Sequence, residues 1–300
     1  MLWPFPLSAQ QIRSLDPRLA LTQYVHDVWQ TGDGLPQNSV LDILQTRDGY
    51  LWLGTRGGLA RFDGVRFTVF DKKNTPALGD NDIRALLEDR DGSLWIGTYG
   101  GGLTRLKNGR FTQYTSEDGL PHDQIRSLLQ DREGSLWIGT YGGGVSRYKD
   151  GKFTAYTTED GLADNKVRPL LEDREGSLWI GTYGGGLSRY RDGKFTNYTI
   201  KDGLPTDIVF ALLEDRHGKL WVGTYGGGIS RFENGKFTTY TTEDGLADNR
   251  VVDLLEDSRG TLWIGTYAGG LTRRTDKGFE TFSSEDGLSD DSMFSLYEDR

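Results

Sequence analysis

The sequence contains no cysteine, which excludes disulfides, thiolate nucleophiles and cysteine-ligated metals. This absence leaves the redox compartment open. Histidine is nearly as scarce: His26, His122 and His217 fall at unrelated positions, too scattered for a metal centre. No apolar run reaches the length of a membrane-spanning helix. A basic surplus is also missing. Lys and Arg number 35 against 44 Asp and Glu, a net charge of −9, which argues against nucleic acid and against an anionic membrane surface as partners. No stretch keeps helical periodicity beyond two turns. A nucleophile elbow and a phosphate-cradling loop are both absent, so no catalytic residue, metal or cofactor is assigned.

What the chain has instead is glycine, 42 residues of it, spaced regularly. "SLWIGTYGGG" occupies residues 93–102, 135–144 and 177–186, with looser copies around it. The motif tryptophans are Trp52, Trp95, Trp137, Trp179, Trp221 and Trp263, spaced 43, 42, 42, 42 and 42 apart. A second series runs in step, Leu35, Leu78, Leu120, Leu162, Leu204, Leu246 and Leu288, with Asn or Asp three residues after each. A period in the low forties indicates a propeller or a solenoid.

One unit decides between them. "QIRSLLQD", "SLWIGTY", "VSRYK" and "KFTAYT" are short, rich in β-formers and separated by turn residues, so each unit reads as four antiparallel strands. Helical arrays are thereby excluded, and about 42 residues per four strands is a propeller blade. Burying one tryptophan removes ~150–250 Å² from water, about 4–6 kcal/mol at most. The six tryptophans therefore read as frame rather than as stacking platforms. At the ends, residues 21–35 align with an outer strand and residues 292–300 with an inner strand. The expectation is an all-β, seven-bladed propeller over 21–300, six blades complete and the seventh truncated, in a fragment of a longer protein. Residues 1–20 read as a signal-peptide remnant or as a disordered N-terminus.

Units such as "GLPHDQIRSLLQDREGSLWIGTYGGGVSRY" closely resemble the two-component regulator propeller repeat. The resemblance implies a bacterial sensor propeller on the extracytoplasmic (periplasmic) side, anchored elsewhere to the inner membrane. Its output domain, a histidine kinase or a diguanylate cyclase, would lie outside this sequence. It also implies a small-molecule or glycan ligand and is compatible with a homodimer. One loop departs from the pattern: "NTPALGDNDI" at residues 74–83 lacks "EDGL". A propeller lyase or lactonase and a protein-binding scaffold are the alternative functions.

If the repeats are frame, function lies where they differ. The second residue of each inner strand reads Leu41, Arg84, Arg126, Arg168, Phe210, Val252 and Phe294. Three successive arginines at the mouth of a channel suggest an anion site, since guanidinium binds carboxylate or phosphate bidentately. Arg56, where other blades have tyrosine, is expected beside them. Tyr99, Tyr141, Tyr183, Tyr225 and Tyr267 offer ring faces to a sugar, or simply pack blade against blade. The competing reading pairs each arginine with an acid of the "EDR" segments, such as Glu88 or Glu172. Those Glu-Asp pairs point to opposite strand faces, poor geometry for a carboxylate dyad.

Overall fold

Each unit folds as a four-stranded antiparallel sheet in sequence order, because its turns carry glycine, asparagine or aspartate where positive φ is needed. The computed structural model describes residues 27–299. It contains six such blades, at residues 40–70, 83–114, 125–156, 167–198, 209–240 and 251–282. In blade 4 the strands are Val167–Glu172, Leu178–Thr182, Leu187–Arg191 and Lys194–Tyr198. The first strands of successive blades touch one another and line a central channel.

The core lies between the sheets. All six motif tryptophans are buried. Trp179 packs against Leu187, Leu204, Val209, Leu220 and Val222, residues of its own blade and the next. The glycine two residues after each tryptophan lets the next blade come close: a Cβ on Gly223 would stand 2.6 Å from Val251 Cγ1. The tryptophan is also anchored by a polar contact. Trp179 Nε1 donates to Asp173 Oδ2 at 2.7 Å, and Asp173 Oδ1 accepts from Ser177 N at 2.8 Å. Four other blades repeat the indole–aspartate bond; in blade 1 Thr46 Oγ1 takes its place at 3.1 Å.

Two rims stitch the blades together. On one, the inter-blade loop forms a capped 3-10 turn. In the loop after blade 3, Thr157 and Asp160 close a capping box and Leu162 is buried. Asn165 Oδ1 accepts from Thr158 N at 2.9 Å, and Asn165 O accepts from Gly142 N and Gly144 N of the preceding glycine bend. The divergent loop keeps this frame, with Leu78 fully buried and Asn81 Oδ1 accepting from Lys72 N. On the opposite rim, Glu172 Oε2 accepts from Arg132 N of the preceding blade at 2.9 Å, while the Arg132 guanidinium donates to the carbonyls of Asp173 and Arg174. Arg174 does the same toward Glu214, Asp215 and Arg216.

The seventh blade expected from the repeat phase does not form. Among the described residues there are six sheets, and residues 292–299 belong to none. They run beside blade 6, where Leu296 N donates to Asp253 Oδ2 at 2.6 Å and Met293 N to Thr266 O at 2.9 Å. With no second strand at its side such a segment has no ladder to join, so matching the repeat phase does not by itself make a sheet. Residues 27–30 likewise make no outer strand; they lead into a 3-10 turn at Thr31–Asp33, and Trp29 packs on Phe62 and Phe67. Residues 1–20 and 21–26, assigned above to a leader and to an outer strand, lie outside the described residues.

The junction of blades 5 and 6 departs from the three before it. Tyr148, Tyr190 and Phe232 each meet the tryptophan of the preceding blade edge-on at 5.5–5.8 Å. Arg274 holds that place over Trp221, and a cavity of about 650 Å³ opens beside it. Arg274→Tyr should restore the aromatic pair and stabilise the fold by ~1 kcal/mol. Urea unfolding checks this; a lower midpoint would show that the guanidinium already fills the site better.

Candidate functional site

The second residue of each first strand points into the channel, so the residues singled out by blade-to-blade comparison are brought together. A cavity of about 460 Å³ is lined by Arg56, Arg84, Arg126 and Arg168 on the side of blades 1–4, and by Phe210, Val252 and Phe294 further round. Arg56 is exposed; the other three arginines are half-buried.

The arginines are layered with the tyrosines of the glycine bends. Arg84 lies 5.1 Å from the Tyr99 ring centre, Arg126 lies 4.8 Å from Tyr99 and 5.0 Å from Tyr141, and Arg168 lies 3.4 Å from Phe210 and 6.0 Å from Tyr183. The aromatic arc then continues through Tyr183, Phe210, Tyr225, Tyr267 and Phe294, each ring within 6.2 Å of the next. The tyrosines thus pack against one another and the arginines, yet Tyr183 and Tyr267 keep about 40% of their surface exposed. Tyr225, Tyr267, Phe210 and Phe294 belong to this arc, and of the tyrosines only Tyr267 lines the cavity itself.

Pairing of the arginines with the "EDR" acids does not occur. Glu88 is held by Arg47 and Glu172 by Arg132, both on the far rim. Arg84 pairs with Asp82 instead. Arg126 and Arg168 form no ion pair among the described residues, and the buried Nε atoms of Arg84 and Arg126 have no hydrogen-bond partner. Burial lowers the proton affinity of Arg126, and the neighbouring Arg84 charge lowers it further. For Arg168, burial and then the charges of Arg126 and Arg84 bring it down to about 10. Both remain cationic at neutral pH, so Arg126 and Arg168 bring positive charge to this wall with no ion-pair partner among the described residues.

Two carboxylates face the same cavity, and sequence reasoning missed them. Asp42 accepts from Leu86 N at 2.7 Å and Ile43 N at 2.9 Å; Asp253 accepts from Leu296 N and, at 2.9 Å, from Leu254 N. Both are enclosed by protein while keeping part of their surface open to the channel. Burial pushes Asp42 up to about 7 against the pull of its hydrogen bonds, with a further push from Asp253, and pushes Asp253 up to about 6. Among the described residues no three potential metal ligands converge.

The two-component regulator propeller repeat matches residues 34–57, 77–100, 119–142, 161–184, 203–226 and 245–268. Each match runs from the inter-blade loop through the tryptophan strand to the glycine bend. Histidine kinase P4 of Formosa agariphila is 52% identical over 44 residues, 15% of this chain and 3% of that protein. The extracellular domain of a hybrid two-component system from B. thetaiotaomicron superposes with a TM-score of 0.75 at 26% identity, over 84% of this chain and 35% of that one. The chain therefore spans only a small part of these relatives. Virginiamycin B lyase from Staphylococcus aureus, at 19% identity and a TM-score of 0.66 over 80% of this chain and 82% of its own, shares the fold alone.

Proposed function

The chain is a two-component regulator propeller, and from that premise we propose that it is the ligand-receiving part of an extracytoplasmic sensor whose output domain lies elsewhere in the protein. Its ligand is a small organic anion or an acidic saccharide seated in the channel mouth. The observation that carries this reading is the pair Arg126 and Arg168, half-buried on adjoining blades, without an ion-pair partner among the described residues and open to a cavity of about 460 Å³. A cavity of that size suits a ligand of one or two sugar rings. The charge calls for carboxylate, sulfate or phosphate. Phe210, Tyr267 and Phe294 line the same cavity and supply apolar ring surface of the kind that packs on a pyranose.

The test is calorimetric titration with acidic saccharides, beginning with glucuronate and its short oligomers. Each charge-assisted hydrogen bond contributes ~1.5–3 kcal/mol, so Arg126→Ala should weaken binding at least tenfold, and Arg168→Ala comparably. Trp29→Ala, remote from the channel, should leave affinity unchanged. Unaltered affinity in both arginine variants would remove the anion site.

A further inference from the structure

The channel carries charge of both signs, on different walls. Arg84, Arg126 and Arg168 come from blades 2, 3 and 4; Asp42 and Asp253 come from blades 1 and 6. Besides the two aspartates, the titratable groups lining the cavity are Arg56, Arg84, Arg126, Arg168 and Tyr267. None of these guanidiniums is among the groups acting on either carboxylate, whereas the Asp253 charge adds to the upward push on Asp42. Neither aspartate forms an ion pair among the described residues. Each carboxylate oxygen takes a single backbone N–H, which leaves lone pairs unused on the side of the cavity.

We infer that the channel ligand is a small zwitterion, its acidic group held by Arg126 and Arg168 and a protonated amino group facing Asp42 and Asp253. An amino sugar bearing a sulfate, phosphate or carboxylate has this chemistry. The inference rests on the anion site proposed above and adds the second charge and its place. An acid alone would satisfy the arginines and leave the aspartates repelling each other. A cationic amino group removes that repulsion. It also draws both carboxyls into their ionised form, so uptake at near-neutral pH expels protons from the channel.

Three probes separate the outcomes: glucosamine 6-sulfate, its N-acetylated counterpart and glucuronate. The first two share ring and acid and differ in the amine charge. Titrated into the unmodified protein at pH 7, glucosamine 6-sulfate should bind at least tenfold more tightly than the N-acetyl form. At pH 5, where both aspartates hold protons, the preference should fall below twofold. Calorimetry at pH 6.5 in buffers of different ionisation enthalpy should show protons released with the amine probe and not with glucuronate. The Asp42→Asn and Asp253→Asn variants should lose the preference while retaining glucuronate, and Arg126→Ala should weaken all three. Equal binding of the amine and N-acetyl sugars at pH 7, or binding of glucuronate alone, overturns the zwitterion and leaves the anion site standing. Binding of none of the three at millimolar concentration overturns both.

Discussion

Truncation of Trp179 to alanine is expected to cost ~3–5 kcal/mol of folding stability, a large share of the total for a domain of ordinary stability. The indole is 3% exposed and packs between two blades. Its loss leaves a void there and strips Asp173 Oδ2 of its donor in a site that is 9% exposed. Trp179→Phe separates the two contributions. It retains most of the packing and removes only the indole N–H, and should cost ~1–3 kcal/mol. Trp29→Ala gives the contrast: at 43% exposure its loss should stay below ~1 kcal/mol. Urea unfolding followed by circular dichroism measures all three. A Trp179→Ala midpoint close to that of the unmodified protein would mean that the motif tryptophans are not the frame.

The second large effect is a dependence of stability on pH centred on the channel aspartates. Asp42 and Asp253 bind their protons more tightly in the folded chain, at about 7 and about 6, than at the ordinary value of 3.8. Between pH 4 and 7 the folded state therefore holds protons that the unfolded state has released. This pair's contribution to stability falls as the pH rises through that window. Below pH 4 both states are protonated and the penalty is absent; above pH 7 it is complete, on the order of 4 kcal/mol for Asp42 alone. Asp42→Asn removes the titrating group while keeping an acceptor for Leu86 N. Its stability relative to the unmodified protein should rise by ~2 kcal/mol or more between pH 4 and pH 8. A constant difference across that range would show that Asp42 ionises normally.

Much of this was legible in the sequence because repetition separates frame from exception. The tryptophan column, the leucine of the capped loop and the Asn or Asp three residues later each have one structural task, performed in nearly every blade. The arginine column stood out for the opposite reason. It breaks the repeat in three adjoining blades, and neighbouring blades place the same column side by side. The adjoining column reads Asp42, Ala85, Ser127, Pro169, Ala211, Asp253 and Ser295, and it held the missed acids. Two isolated aspartates in a chain of 44 acidic residues look like ordinary polar variation until the fold brings both to one cavity. The aspartate six residues before most of the tryptophans was likewise hidden inside "EDR", where it reads as part of a hairpin turn. The seventh blade was an overreach of the same method. Repeat phase gives the position a segment would occupy, but a sheet also requires a hydrogen-bonded neighbour, and residues 292–299 have none in a sheet.

The rim opposite the tyrosines has a direction. From blade 3 to blade 5 every link runs one way, with the arginine of a blade donating to the blade after it and the following glutamate receiving that arginine's own N–H. The joint from blade 5 to blade 6 repeats the same donor-to-acceptor handshake with Arg216, Glu256 and Asp257, whereas the joint from blade 2 to blade 3 uses Gln130 as its acceptor. Among blades 3 to 6, duplication or deletion of one whole unit by unequal recombination leaves each remaining joint on this rim with a matching partner. Gene-level gain and loss of blades is then limited by the curvature of the ring and not by the chemistry at its seams.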